Sequence, residues 1–414
     1  MPQKIPSTPS LLDLLASQEA RDLVIQWQKA LTASQAIPPE QNGDGEAIKC
    51  ALLEKWLINM EYTPIHYDAP DPRVSAKVRP NILCTVQGEL EEKLWLFAHL
   101  DVVTPGDRNA WKYDPFSVHQ EGDYLIGRGV EDNQQAIVSM LLLLWALQKT
   151  KTKPRRTICF VFMADEETGS KFGLVHLLKL APNLFDKNDF YLVPDCGHPK
   201  ATLIEIAEKG QLWVKIITRG VQCHASTPGK GKNAFVAASA LVTTLAQRLP
   251  TLFAQRNDLF DPPTSTFVPS KHEANVDGIN IVPGSDIFYL DCRLLPGIDQ
   301  DSVLQAIDTL AQTVAKEKDV SIELEVVQKQ NASALDIHHP AITELSMAVS
   351  KIYGQRAFPQ GIGGGTVAAY LRMQGLPALV WACIENTCHA PNERSSITAT
   401  IKDSQVFALL ALKN

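Results

Sequence analysis

Three apolar runs in this chain end abruptly in ionisable residues. Leu94-Trp95-Leu96-Phe97-Ala98 leads into His99-Leu100-Asp101, Phe160-Val161-Phe162-Met163-Ala164 into Asp165-Glu166-Glu167, and Tyr191-Leu192-Val193 into Pro194-Asp195. A further acid, Asp132, closes the run Gly127-Arg128-Gly129-Val130-Glu131-Asp132-Asn133. If these groups converge, the carboxylates repel and raise one another's pKa values. A divalent cation relieves that repulsion, and nitrogen and oxygen donors suit one. Each residue also has a plainer reading. His99 alone reads as a core histidine, Glu166-Glu167 as a solvated turn, Asp195 as a turn former, and Asp132 as an N-cap for the helix that follows. The plainer readings must hold at every position at once, whereas one metal site accounts for all of them. Asp101, two residues after His99, can hold the second imidazole nitrogen and fix its tautomer.

The elements that must position these residues alternate. Leu94–Ala98, Thr157–Ala164 and Phe190–Val193 are short and rich in β-branched or aromatic residues, as buried strands are. Ala136–Lys149 between the first two is apolar nearly all round, the signature of a helix buried on both sides. Helical apolar spacing also covers residues 10–35 and 46–60, separated by a polar loop at Pro38–Gly45. Strand–helix alternation predicts an α/β fold with a mostly parallel sheet, whose carboxyl ends open onto the ligand crevice.

The character shifts near Lys209. Gln211–Thr218 alternates like a strand with one wet face, Ala234–Arg248 reads as an amphipathic helix, Ile287–Arg293 as a strand, Asp301–Lys316 as a helix and Val320–Val327 as a strand. After them, Pro340–Tyr353 resumes a helix and Ala378–Cys383 a strand. The expected architecture is two-domain: an α/β sandwich of residues 1–210 plus 331–414, interrupted by a smaller α+β domain at 211–330.

At this point the chain resembles a known family. Ala98-His99-Leu100-Asp101-Val102-Val103 looks like the H-x-D signature of the M20 metallopeptidases, a group that includes acetylornithine deacetylases, succinyl-diaminopimelate desuccinylases, aminoacylases and dipeptidases. The Gly127–Asp132 run, Asp165-Glu166-Glu167-Thr168-Gly169-Ser170 and His389-Ala390-Pro391-Asn392-Glu393 match later signatures of that family in the same order. The resemblance implies two zinc ions per subunit, with cobalt a possible substitute. His99 and Asp195 would bind one, Glu167 and His389 the other, and Asp132 would bridge them, with a cis peptide between Asp132 and Asn133. Glu166 would be the general base, with Asp101 beside it in the catalytic set. The inserted domain would serve as lid and homodimer interface. Within it Gly220-Val221-Gln222-Cys223-His224-Ala225-Ser226 resembles the segment whose histidine, here His224, enters the partner subunit's site. Asn280-Ile281-Val282-Pro283 and Asp291-Cys292-Arg293 resemble the substrate-binding pattern: Arg293 would clasp a substrate carboxylate, with a salt bridge to Asp291 as the alternative. Gly364, Gly365 and Thr366, in Gly361–Thr366, would bring backbone amides to the same carboxylate.

The activity implied is hydrolysis of an amide bond in a small peptide or N-acyl amino acid with a free carboxylate. Two features depart from the usual pattern. The frequent D-x-K-G run is here Asp132-Asn133-Gln134-Gln135, and the first-site carboxylate is Asp195 rather than glutamate. Aspartate there goes more often with dipeptidases and aminopeptidases, so that reading leads. An N-acyl deacylase and a catalytically silent binding homologue remain as alternatives.

Composition bounds the rest. A chain of 414 residues is long enough to bury a large core without disulfides. The net charge of −7 and the lack of a basic block argue against nucleic acid. The eight cysteines are scattered without paired spacing, as in a reducing cytoplasm. Met1–Leu15 does not read as a secretory leader. The apolar run Ala136–Leu147 is shorter than the roughly 20 residues that span a bilayer, so no membrane association is expected.

Overall fold

The structure, a computed structural model, describes residues 10–413. Most of the Met1–Leu15 stretch weighed as a leader therefore lies outside the described residues. The chain divides into two compact units, one comprising residues up to 206 with 335–359 and 366 onward, the other 207–334 with 360–365. Residues 207–210, 331–334 and 360–365 thus fall in the second unit, whereas the sequence pattern assigns 1–210 and 331–414 to the first.

In the first unit the strands run in the order Ile65–His66, Ile82–Val86, Arg156–Met163, Leu90–His99, Phe190–Val193, Ala378–Val380 and Leu203–Glu208. The middle four are mutually parallel. The flanks are antiparallel, Ile82–Val86 against Arg156–Met163 and Leu203–Glu208 against Ala378–Val380. The sheet is therefore mixed, with parallel pairing confined to its centre, rather than mostly parallel throughout. The strands missed by periodicity are the flanking ones: Ile82–Val86 is buried only over its first three residues, and Leu203–Glu208 is buried almost throughout but has its apolar run broken by the buried acids Glu205 and Glu208.

Helix Gln134–Thr150 is buried from Gln134 to Leu147, as its apolar circumference demands. It packs on one face of the sheet beside Ile397–Leu412, with Gln18–Ala33 outside it. Leu141 to Leu144 are fully buried, each stabilising the fold by roughly 1.5–3 kcal/mol relative to exposure. The opposite face carries Leu174–Leu180 and Ala368–Met373 over Trp95, Phe97 and Tyr191. Helix propensity across residues 10–35 resolves into two helices, because Ser17 turns out of the first and caps the second, its hydroxyl accepting from the Ala20 amide at 3.2 Å. The strand expected at Ala378–Cys383 stops at Val380.

The second unit is α+β. An antiparallel sheet in the order Thr266–His272, Ser285–Leu294, Gly210–Arg219, Ser321–Gln330 is covered by Ala234–Leu252 and Gln300–Lys318. Along Gly210–Arg219 buried and wetter residues alternate, Leu212, Val214 and Ile216 pointing into a core with Leu241, Leu290 and Ile307.

Candidate metal centre

The four parallel strands all point their carboxyl ends to one edge of the sheet. His99 is the last residue of its strand, Asp165-Glu166-Glu167 follow Met163, and Asp195 follows Val193 by two residues. The segment after Val380 leads to His389, and the loop before helix Gln134–Thr150 delivers Asp132 through a cis Asp132–Asn133 peptide.

Asp132 is the hinge of the constellation. Its Oδ1 lies 2.8 Å from His99 Nε2 and its Oδ2 3.1 Å from His389 Nε2. His99 Nε2 also lies 3.4 Å from Asp195 Oδ1, and His389 Nε2 3.0 Å from Glu167 Oε2. Two groups of candidate ligand atoms result, His99–Asp132–Asp195 and Asp132–Glu167–His389, each with its atoms within 4.8 Å of one another. Asp132 belongs to both. Its carboxylate meets the two imidazoles, and the helix start it precedes has no side-chain cap bond, so the N-cap reading does not describe it.

The electrostatics show what this cluster needs. Burial, then the charge of Asp195, pushes Glu166 well above the usual carboxylate range. Burial and the neighbouring Asp132 push Glu167 to about 7, and burial raises Asp195. Burial would raise Asp132 too, but hydrogen bonds from His389 and His99 outweigh it and hold that carboxyl low. Those bonds, with help from Glu167, lift His389 to about 10. The two imidazoles are thus the groups nearest at hand to offset the carboxylates' charge. A divalent cation offers the same compensation without taking up protons, and the donors of both groups are the nitrogen and oxygen atoms such a cation accepts. The residues fit the two ions that the motifs imply.

Asp101 stands where expected but acts differently. The nearest acceptor for His99 Nδ1 is the backbone carbonyl of Asp101 at 3.0 Å, whereas its carboxylate is 3.5 Å away. That carboxylate instead accepts the amides of Glu166 and Glu167 at 3.1 and 2.9 Å. Asp101 thus faces His99 Nδ1 with both its carbonyl and its carboxylate, and the same carboxylate fixes the turn that carries the candidate base and the second-site ligand.

Similar grips recur on residues the sequence reading did not single out. Glu393, fully buried, accepts the amides of Gly129 and Glu131 at 2.9 Å and of Asp132 at 3.1 Å, and pairs with Arg128 at 2.6 Å. Glu131 accepts the amides of Asn386 and Thr387 at 2.6 and 2.7 Å, fixing the turn before His389. Gly129, at φ 84°, is where the first of these loops needs glycine, since a Cβ there would stand 2.5 Å from the Val102 side chain. Asn133 joins two strand ends, accepting from the His99 amide at 3.3 Å and donating to Asp195 Oδ1 at 2.6 Å and the Pro194 carbonyl at 3.0 Å. Behind them lies Lys49, fully buried, its Nζ without a hydrogen-bond partner among the described residues and its pKa lowered by burial to about 8. These were hidden because an acid beside a ligand looks like another ligand, and burial is not written in residue identity.

The remaining motif residues divide between the two units. Thr366, in the first unit, accepts the Ala368 amide at 3.1 Å at the start of helix Ala368–Met373. In the second unit, His224 pairs with Ile281 across a two-residue ladder and is exposed. Its Nδ1 accepts the Ser226 amide at 3.1 Å, so in the neutral ring the proton sits on Nε2, a donor facing outward. Asn280 is exposed and its carbonyl accepts the Ala225 amide at 2.8 Å. Arg293 is engaged as the alternative foresaw: Nε and Nη2 meet Asp291 at 2.8 and 3.1 Å, and Nη1 the Gly363 carbonyl at 3.1 Å. One N–H on each terminal nitrogen is left over, the end-on pair a further carboxylate would use. Gly364 and Gly365 are exposed, while the glycine of this loop fixed by close approach is Gly361, where a Cβ would lie 2.4 Å from the Phe260 ring.

The family model described as peptidase family M20/M25/M40 matches residues 95–413. An uncharacterized metallohydrolase of Methanocaldococcus jannaschii is 33% identical over 92% of this chain and 97% of its own. A succinyl-diaminopimelate desuccinylase of Afipia carboxidovorans is 27% identical, covering 75% of this chain and 79% of its own. Among solved structures, human carnosine dipeptidase 1 shares the fold with a TM-score of 0.79, covering 98% of this chain and 99% of its own at 16% identity. With its ordered motifs, its metal-ready strand ends and this match over most of its length, the chain belongs to peptidase family M20/M25/M40 and is a metallohydrolase.

Proposed function

We propose that this chain is a dinuclear amidohydrolase that cleaves a peptide or N-acyl bond in a small substrate bearing a free carboxylate. The observation that carries the proposal is that Asp132 belongs to both ligand groups at once, with Glu166 beside them on the turn that Asp101 grips. His99 and Asp195 would hold one ion, Glu167 and His389 the other, and Asp132 both. Zinc suits these donors, with cobalt as substitute. Two such ions, when bound, lower the pKa of a water and polarise the scissile carbonyl.

The chain's own residues do the rest. Glu166 takes a proton from the attacking water and passes it to the departing nitrogen. Its surroundings favour that role, since burial and the neighbouring acids raise the carboxyl and so strengthen it as a proton acceptor. His224 Nε2–H would steady the oxyanion, and Arg293, Asn280 and the Gly364-Gly365-Thr366 segment would receive the substrate carboxylate. The long edge strand Ser321–Gln330, with Val326 and Val327 exposed, supports pairing of two chains through the second unit. All eight cysteines are free of disulfides, which supports a reducing cytoplasm, and among the described residues no helix is long and apolar enough to cross a membrane.

Asp195 favours a dipeptide substrate. The second reading, an N-acyl deacylase, is favoured by relatives named succinyl-diaminopimelate desuccinylases at 24–27% identity. A panel of dipeptides alongside acetyl- and succinyl-amino acids, with zinc- or cobalt-loaded protein, separates them. Dipeptide turnover is the expected result. Turnover confined to acyl-amino acids would transfer the assignment to the deacylase, and no turnover with ions bound would leave a binding homologue.

A further inference from the structure

We infer that Asn133 is a positioning residue for one half of the metal centre, the half made by His99, Asp132 and Asp195. The inference rests on the two-ion reading above. Asn133 takes the place after the shared ligand and is almost fully buried. Its single amide group makes three bonds to the two strand ends that supply the other ligands of that half. The carbonyl accepts from the His99 amide at 3.3 Å, and the nitrogen donates to Asp195 Oδ1 at 2.6 Å and to the Pro194 carbonyl at 3.0 Å. The Asp195 contact is the one that matters most. A carboxylate can turn about its own bonds, and a donor fixed on one oxygen chooses which lone pairs remain for a cation.

Asp132, Glu167 and His389 are held by other means. Asp101 grips the Glu167 amide at 2.9 Å, Glu131 grips the amides of Asn386 and Thr387, and Glu393 grips the amide of Asp132 at 3.1 Å. No bond of the Asn133 side chain reaches Glu167 or His389 among the described residues. The two halves share Asp132 as a ligand and Asp101 as a support, but the bonds of the Asn133 side chain serve one half only, so removing that side chain should loosen one ion only.

The test is metal content rather than turnover. Wild-type protein and Asn133→Ala, zinc-loaded and then dialysed against a competing chelator, are compared by elemental analysis and by anomalous scattering at the zinc edge. The expected result is two ions in the wild type and one in the variant, with affinity for the lost ion down by about 10- to 100-fold. The surviving anomalous peak should lie among Asp132, Glu167 and His389. Asn133→Asp keeps the side chain's size while replacing the donor facing Asp195 with an acceptor, and should lose the same ion; it serves if the alanine variant does not fold. Two ions retained at wild-type affinity in both variants, or equal loss of both, would overturn the inference. A wild-type chain that takes up no ion would instead overturn the two-ion reading, and this inference with it.

Discussion

Glu166 and Glu167 are adjacent in sequence yet their surroundings divide their work. Glu167 has an imidazole partner in His389, 3.0 Å away, whereas among the described residues the Glu166 carboxyl has no hydrogen-bond partner and stands amid the charges of Asp195, His99, Glu167 and Asp132. A carboxylate held by a cation cannot carry protons, so the proposed base is the one left unclaimed. Glu166→Gln should therefore keep both ions by elemental analysis while turnover falls at least 100-fold, the usual worth of general base catalysis. Retention of more than a tenth of wild-type activity would exclude the role. His99, Glu166, Glu167 and Asp195 stand out in the sequence because each acid or histidine follows an apolar run, Asp132 because it closes a glycine-rich run before a helix, and His389 only through the family resemblance. Asn133, Glu131 and Glu393 do not, because their task is to hold backbone amides and carboxylates, which any buried polar side chain can do. What distinguishes them is three-dimensional.

At the scale of elements, the apolar periodicity located the central strands and the buried helix to within a few residues, since burial on both faces leaves a continuous apolar run. It missed the antiparallel flanks, where a wet end in Ile82–Val86 and the buried acids of Leu203–Glu208 interrupt the apolar run, and it could not see how Ile397–Leu412 is tied to its neighbours. That helix carries Asp403, a fully buried acid. Its carboxyl accepts from the Tyr353 hydroxyl at 2.7 Å, from Gln135 at 3.1 Å and from the Cys383 amide at 3.3 Å. Burial nevertheless dominates and raises its pKa to about 7. The folded chain therefore holds this proton at pH values where the unfolded chain, with an ordinary aspartate near 4, has released it. Below pH 4 the two states are equally protonated and the contribution is fully present. Between 4 and 7 the folded state binds more protons, so stability falls as pH rises, by up to roughly 4 kcal/mol for a shift of this size. Asp403→Asn removes the titration. Chemical denaturation of both proteins at pH 5 and pH 8 should show the variant gaining on the wild type as pH rises, and a constant difference between them would refute the assignment.

At the scale of the molecule, the sequence marked an insertion by a change of pattern, and the second unit is the compact α+β body that change describes. What composition could not tell is why His224 should be exposed, with Nδ1 occupied by the Ser226 amide and Nε2–H facing outward. A donor so prepared, on a unit whose edge strand Ser321–Gln330 is paired on one side only among the described residues, fits the proposed dimer, in which a second copy of the chain would complete the site. That arrangement predicts complementation. His224→Ala has an intact base and metal ligands but lacks the donor for its partner. Glu166→Gln has the donor but no base. Each alone should be nearly inactive. Unfolded together and refolded, half the dimers would be mixed, and one of the two sites in each would receive Glu166 from one chain and His224 from the other. Activity should return to about a quarter of the wild-type level if dimers form at random. If His224 serves its own chain's site, every site in the mixture carries one defect and the activity stays at the level of the separate variants. Sedimentation of the refolded mixture decides whether a silent result reflects that geometry or a chain that does not pair, because a monomer in solution would contradict the dimer directly.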